Sequence, residues 1–104
     1  MEFWKLLVGL QGKDLKTLGQ GKPFTVLNVS QGHINIIPHK NNKDRTIDIK
    51  EIEGAYRRLK TFGQITRVEI EAQFSPRNPA YVAAILATLP GVRSHGKPII
   101  TLEM

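Results

Sequence analysis

This sequence predicts an α+β domain, and three observations carry the prediction. Residues 24–37 hold two β-branched runs split by a glycine turn, Asp48 and Glu51 open a long amphipathic stretch with the spacing of a capping box, and two shorter helix patterns precede a C-terminal strand pair. The 104 residues and their 40% hydrophobic content suit a single domain with one core.

Taken in order, Phe3, Leu6, Leu7 and Leu10 recur at three- and four-residue spacing and predict a short amphipathic helix over residues 2–10, with Trp4 and Val8 leaving a strand open. Four glycines, Gly9, Gly12, Gly19 and Gly21, then break the pattern. Lys22-Pro23 leads into the strand Phe24–Val29, Gln31-Gly32 supplies a turn, and His33–Ile37 returns as its partner. After the polar loop 39–44, Arg45–Ile47 completes an expected three-stranded antiparallel meander.

Asp48 begins the next element. Ile49, Ile52, Ala55, Tyr56, Leu59 and Phe62 form one apolar face, with Lys50, Glu53, Arg57 and Lys60 opposite, and Gly63 is the stop. Thr66 and Glu69 repeat the capping-box spacing for a shorter helix in which Ile70 and Phe74 lie one turn apart. A third helix is capped by Ser75-Pro76 or Asn78-Pro79, because proline fits a first turn whose N–H would be unpaired in any case. Its expected buried stripe is Val82, Ile85, Leu86 and Leu89, leaving Ala80, Ala83, Ala84 and Ala87 on an exposed face; Pro90-Gly91 ends it. Val92-Arg93 and Ile99–Leu102 are the expected strands of a C-terminal β-hairpin.

From residue 49 onward, the order helix, short helix, helix, strand, loop, strand resembles a winged helix-turn-helix. "GQITRVEIEA" opens the second helix after a minimal first strand at Gln64-Ile65, and "RSHGKP" stands at the wing position. The resemblance divides the domain into 1–47, an N-terminal helix and meander, and 48–104, a three-helix winged-helix-like unit. It implies DNA binding, with the start of the third helix meeting base edges and the wing touching backbone or minor groove.

Composition narrows the function classes. No cysteine is present, which rules out disulfides and thiolate metal sites, and Met1–Val8 is too short and charge-interrupted for a signal peptide or membrane span. A soluble cytoplasmic protein with no membrane partner is expected. Fifteen Lys+Arg against nine Asp+Glu give a net charge of +6, which favours polyanionic partners through counterion release. The charge is dispersed: four basic against two acidic residues over 1–39, nine against six over 40–77, and two against one over 78–104.

No catalytic constellation is expected. "GQGKP" lacks the Ser or Thr and the glycine spacing of a phosphate-binding loop. Asp48-Ile49-Lys50, with Asp14 or Asp44, would suit a two-metal nuclease only on a strand, whereas Asp48 starts a helix. His33, His39 and His95 fall in separate turns without zinc-hydrolase spacing, so neither metal nor cofactor is expected and the protein is read as a non-enzyme.

The DNA reading has Arg77, Asn78 and Tyr81 read at most a few base pairs, Arg77 forking onto a guanine and Asn78 onto an adenine, from a helix whose remaining face is mostly alanine. Backbone contacts fall to Arg93, His95 and Lys97 in the wing and to Lys40, Lys43 and Arg45 around the meander loop, with Arg57, Arg58 and Lys60 on the first helix of the trio. The competing expectation is a protein-interaction or accessory module without nucleic-acid binding, in which the Ala-rich helix face docks a protein partner or a second copy of the chain.

Overall fold

The computed structural model describes residues 2–96 and 99–104. Its elements are α1 (Glu2–Val8), β1 (Asp14–Lys16), β2 (Pro23–Val29), β3 (His33–Pro38), β4 (Arg45–Asp48), α2 (Ile49–Phe62), β5 (Gln64–Thr66), α3 (Arg67–Glu69) running into a π turn (Ile70–Phe74), α4 (Pro79–Ala87), β6 (Arg93–His95) and β7 (Thr101–Glu103). The α+β class is as expected. Among the described residues, no helix is long and apolar enough to cross a membrane.

The N-terminal sheet has four strands, in the antiparallel order β1-β2-β3-β4, and not the expected three. Asp14–Lys16 joins the edge of β2 with only Leu15 partly buried, so its three residues show no hydrophobic alternation. Phe24, Val26 and Val29 face inward from β2, and a register shift between Val26 and Asn28 turns both Leu27 and Asn28 outward. Ile34 and Ile36 of β3 and Ile47 of β4 complete the inner face.

Against that face pack α2 and α4. At the start of α2, the Asp48 side chain accepts from Lys50 N and Glu51 reaches back to the Asp48 N–H; at its end Gly63 adopts φ 81° and donates to Leu59 O. Thr66 and Glu69 form a second capping box. Glu51 also accepts from the hydroxyl of fully buried Ser75, whose own N–H closes the π turn on Ile70 O at 2.7 Å. Arg58 of α2 donates to Glu69 at 2.9 Å and to Gln73 at 2.7 Å, fixing α2 against α3 and the π turn.

The largest departure from expectation is α4. Val82, Ile85 and Leu86 are fully buried as predicted, but Ala83 and Ala84 are also buried, at 1% and 3% exposure, and Ala80 and Ala87 are half-buried. The helix touches α2, α3, the π turn, β1 and β7, and among these neighbours Ala83 and Ala84 of the side that was expected to be free are buried. A helix apolar around its whole circumference is a buried helix. The alanines let these neighbours approach closely, and they present no docking face.

The C-terminal sheet has the order β5-β7-β6, with Ile65 opposite Leu102, and Ser94 opposite Leu102 on the other side. Its hairpin strands are Arg93–His95 and Thr101–Glu103, one or two residues later than expected; Val92 lies outside β6.

Candidate functional site

Two of the three expected base readers are not presented for that role. Asn78 is 8% exposed and occupies the N-cap position of α4, yet its side chain makes no capping bond; Oδ1 accepts from Arg45 Nη1 at 3.3 Å. Tyr81 is half-buried, edge-on to Phe24 of β2 with ring centroids 5.0 Å apart, and the Arg45 guanidinium lies 5.4 Å from its ring centroid. Arg77 alone is exposed, beside Thr46, Glu51 and Pro76.

What the fold does assemble is a basic cleft over the first turn of α4. It encloses about 550 Å³ and is lined by Lys22, Pro23, Pro38, His39, Lys40, Asn41, Arg45 and Tyr81. The strand register explains the assembly. Phe24 stands opposite Pro38, and carrying that antiparallel pairing two residues outward brings Lys22 toward Lys40. His39 N donates to Pro23 O at 3.1 Å, which holds the two chain segments together. On the Lys22 side, the turn is braced by reciprocal bonds: Thr17 N donates to Lys22 O and Lys22 N to Thr17 Oγ1. Arg45 closes the cleft from the start of β4.

No carboxylate lines this cleft among the described residues. The ion pairs among the described residues join His39 to Asp14, Arg57 to Glu53, Arg58 to Glu69, Arg67 to Glu71 and His95 to Glu103, and none involves Lys22, Lys40, Lys43, Arg45, Arg77 or Arg93. His39 is positioned at the rim by Thr25: the threonine hydroxyl donates to Asp14 Oδ1 at 2.5 Å and accepts from His39 Nε2 at 2.7 Å. Three exposed cationic residues, Lys22, Lys40 and Arg45, thus line one concavity with no ion pair of their own among the described residues.

Two further depressions connect the β1–β2 turn to the C-terminal sheet. A second depression, lined by Thr17, Gln20, Arg67, Ala80 and Ile100 among others, shares Leu18, Gly19 and Ile100 with a third that includes Ser94, His95 and Gly96. The β1–β2 turn therefore sits between the start of α4 and β6. His95 lies 3.7 Å from Glu103, Arg93 stands across from Glu103 in the β6–β7 register, and Lys43 is exposed in the β3–β4 loop with its N–H on Asn41 Oδ1. Lys97 lies outside the described residues.

Lys22 and His39 are the basic cleft members that the sequence reading left out of the nucleic-acid surface. The hairpin register was the signal for Lys22: its position mirrors that of Lys40 about the Gly32 turn once the bulge in β2 is counted. Compared with protein-family models, with curated proteins and with solved structures, the chain matches none.

Proposed function

We propose that this domain is a small non-catalytic nucleic-acid-binding module that holds duplex DNA by its phosphates, through the basic cleft, Arg77 and the wing. The observation that carries the reading is the convergence of Lys22, Lys40 and Arg45 in a cleft with no carboxylate, joined to exposed Arg77 through the Arg45–Asn78 hydrogen bond. A winged-helix arrangement of residues 48–104 is supported by the β5-β7-β6 strand order, with α3, the π turn and α4 lying between the first strand and the hairpin.

In this reading α4 is a structural support and not a probe of the major groove, because the N-terminal sheet and the β1–β2 turn cover it. Base reading is limited to Arg77, and recognition is tolerant of sequence, as phosphate contacts carry no base information. Titration of a random-sequence duplex at rising salt tests it. Binding at low salt with log K falling by roughly 0.9 per phosphate contact in log salt is expected. Undetectable binding at low salt, or binding without a salt slope, overturns it.

A further inference from the structure

We infer that the Lys22–Lys40–Arg45 cleft takes a terminal phosphate monoester, the end of a nucleic-acid strand or of a nucleotide, in preference to an internal phosphodiester. The inference rests on the phosphate-binding reading above and specifies the ligand of that site.

Charge is the first argument. Three formal cations meet here, and a phosphodiester carries one negative charge, whereas a monoester carries about −1.5 to −2 at neutral pH. The monoester neutralises more of the cluster and offers three acceptor oxygens to it. Shape is the second. The site is a concavity of about 550 Å³, the volume of a small-molecule pocket. An internal phosphate continues into sugar on both sides and must bend the strand to enter; a terminal one enters along a single bond.

Preorganisation is the third. Arg45 is fixed on one side by the Asn78 amide at 3.3 Å and on another by the face of Tyr81. A guanidinium has five N–H donors in a rigid fork, so the single bond to Asn78 leaves a pair for a bidentate contact with phosphate oxygens. Its two side-chain partners, Asn78 and Tyr81, are neutral, so neither cancels that charge. Bringing like charges together across a strand pair costs stability, and a fold that accepts this cost with no acid paired to Lys22, Lys40 or Arg45 is suited to an anionic ligand.

The test compares one random-sequence duplex in three forms, with phosphorylated ends, with hydroxyl ends and closed by hairpin caps, together with adenosine monophosphate against adenosine. Fluorescence anisotropy reads duplex affinity and thermal protection reads the mononucleotides. The phosphorylated duplex is expected to bind about tenfold tighter than the hydroxyl form, the lower range for a charge-assisted hydrogen bond. Arg45→Gln and Lys40→Gln abolish that preference, while Lys50→Gln, which removes the same charge from exposed α2 surface, keeps it; melting curves establish that each variant is folded.

Equal affinity for the three duplexes overturns the inference and leaves phosphate-backbone binding standing. Preference that survives both cleft variants overturns it as well, since the selectivity then lies elsewhere. If no duplex binds but adenosine monophosphate protects more than adenosine, the monoester site holds, with free nucleotide as its source, and the nucleic-acid reading falls. If neither duplex nor mononucleotide binds, both fall.

Discussion

Arg45 donates to the side-chain oxygen of Asn78 across 33 residues of sequence, and this bond joins the edge of the N-terminal sheet to the first turn of α4. It diverts Asn78 from the capping role that its position suggests. Asn78→Ala is therefore expected to cost little stability, about 1 kcal/mol or less, because no cap is lost and Arg45 is exposed enough to be hydrated. Duplex affinity should fall several-fold as the guanidinium loses its anchor. Asn78→Asp should lower affinity further by pairing with Arg45. Parallel denaturant melts and anisotropy titrations separate the effects; a stability loss matching a lost helix cap with unchanged binding would contradict this role.

The cleft lysines give an expectation of opposite sign. Lys22 and Lys40 line one concavity with Arg45 and no acid, so their repulsion weakens the unliganded fold. Lys40→Gln should raise unfolding free energy at low salt by about 0.2–0.5 kcal/mol, the scale of surface like-charge pairs, while weakening DNA binding. Raising the ionic strength should erase the stability gain through screening. A gain that persists in high salt would point to a cause other than charge.

Gly54 sits in the middle of α2, where alanine is ordinarily better by about 1 kcal/mol. A Cβ there would meet Phe74 Cδ1 at 2.9 Å and Cε1 at 3.3 Å. Because Phe74 packs partly buried beside the core at the end of the π turn, the ring has to move. Gly54→Ala is expected to destabilise the domain, and Gly54→Ala combined with Phe74→Leu to recover part of the loss. Urea denaturation of the two variants checks the coupling; a plain gain of helix stability in Gly54→Ala would show that this close approach is unimportant.

How much of this was legible in sequence follows from the range of each signal. Both capping boxes, the Gly63 stop and the β2–β3 hairpin are local devices, readable from residues a few positions apart, and they stand in the structure as expected, but Gly32 does not take the positive φ that a tight turn there was expected to require. Strand β1 was not legible, because three mostly exposed residues carry no alternation and are ordered by pairing with β2. The α4 surface was misread through assuming that a helix has a free face. From Pro79 to Val92 there is no charged residue at all, the sign of a helix buried all round, and only the covering sheet reveals what buries it. Arg77, Lys40 and Arg45 were singled out by residue type; their grouping with Lys22 depended on strand register and the Asn78 bond, which are long-range.

Gly19 marks the contact that sets the β1–β2 turn against Ile100, just before β7. It has φ +83°, and an added Cβ would stand 2.8 Å from Ile100 Cδ1. Gly19→Ala combines a strained backbone conformation with that clash, so a loss of about 1–2 kcal/mol is expected. Hydrogen exchange should show the change concentrated in residues 17–22 and in β6 and β7, with α2 retaining its protection; uniform loss across the fold would mean that the turn has no separate docking role.

Ala84→Arg discriminates between a core helix and a groove-reading helix. Were α4 a base reader with an exposed alanine face, arginine there would be tolerated and would add a phosphate or base contact, strengthening DNA binding. Ala84 is instead 3% exposed, so the substitution forces a long side chain and a charge into packed surroundings. The expected cost is about 3 kcal/mol or more, from overpacking and desolvation together, a large share of the stability of a domain this size. Thr88→Arg, at an exposed position just beyond the end of α4, should change stability by about 0.5 kcal/mol or less. Denaturant melts of the two variants with anisotropy on whatever remains folded give the answer. A stable Ala84→Arg protein with tightened DNA binding would return α4 to the role of reader.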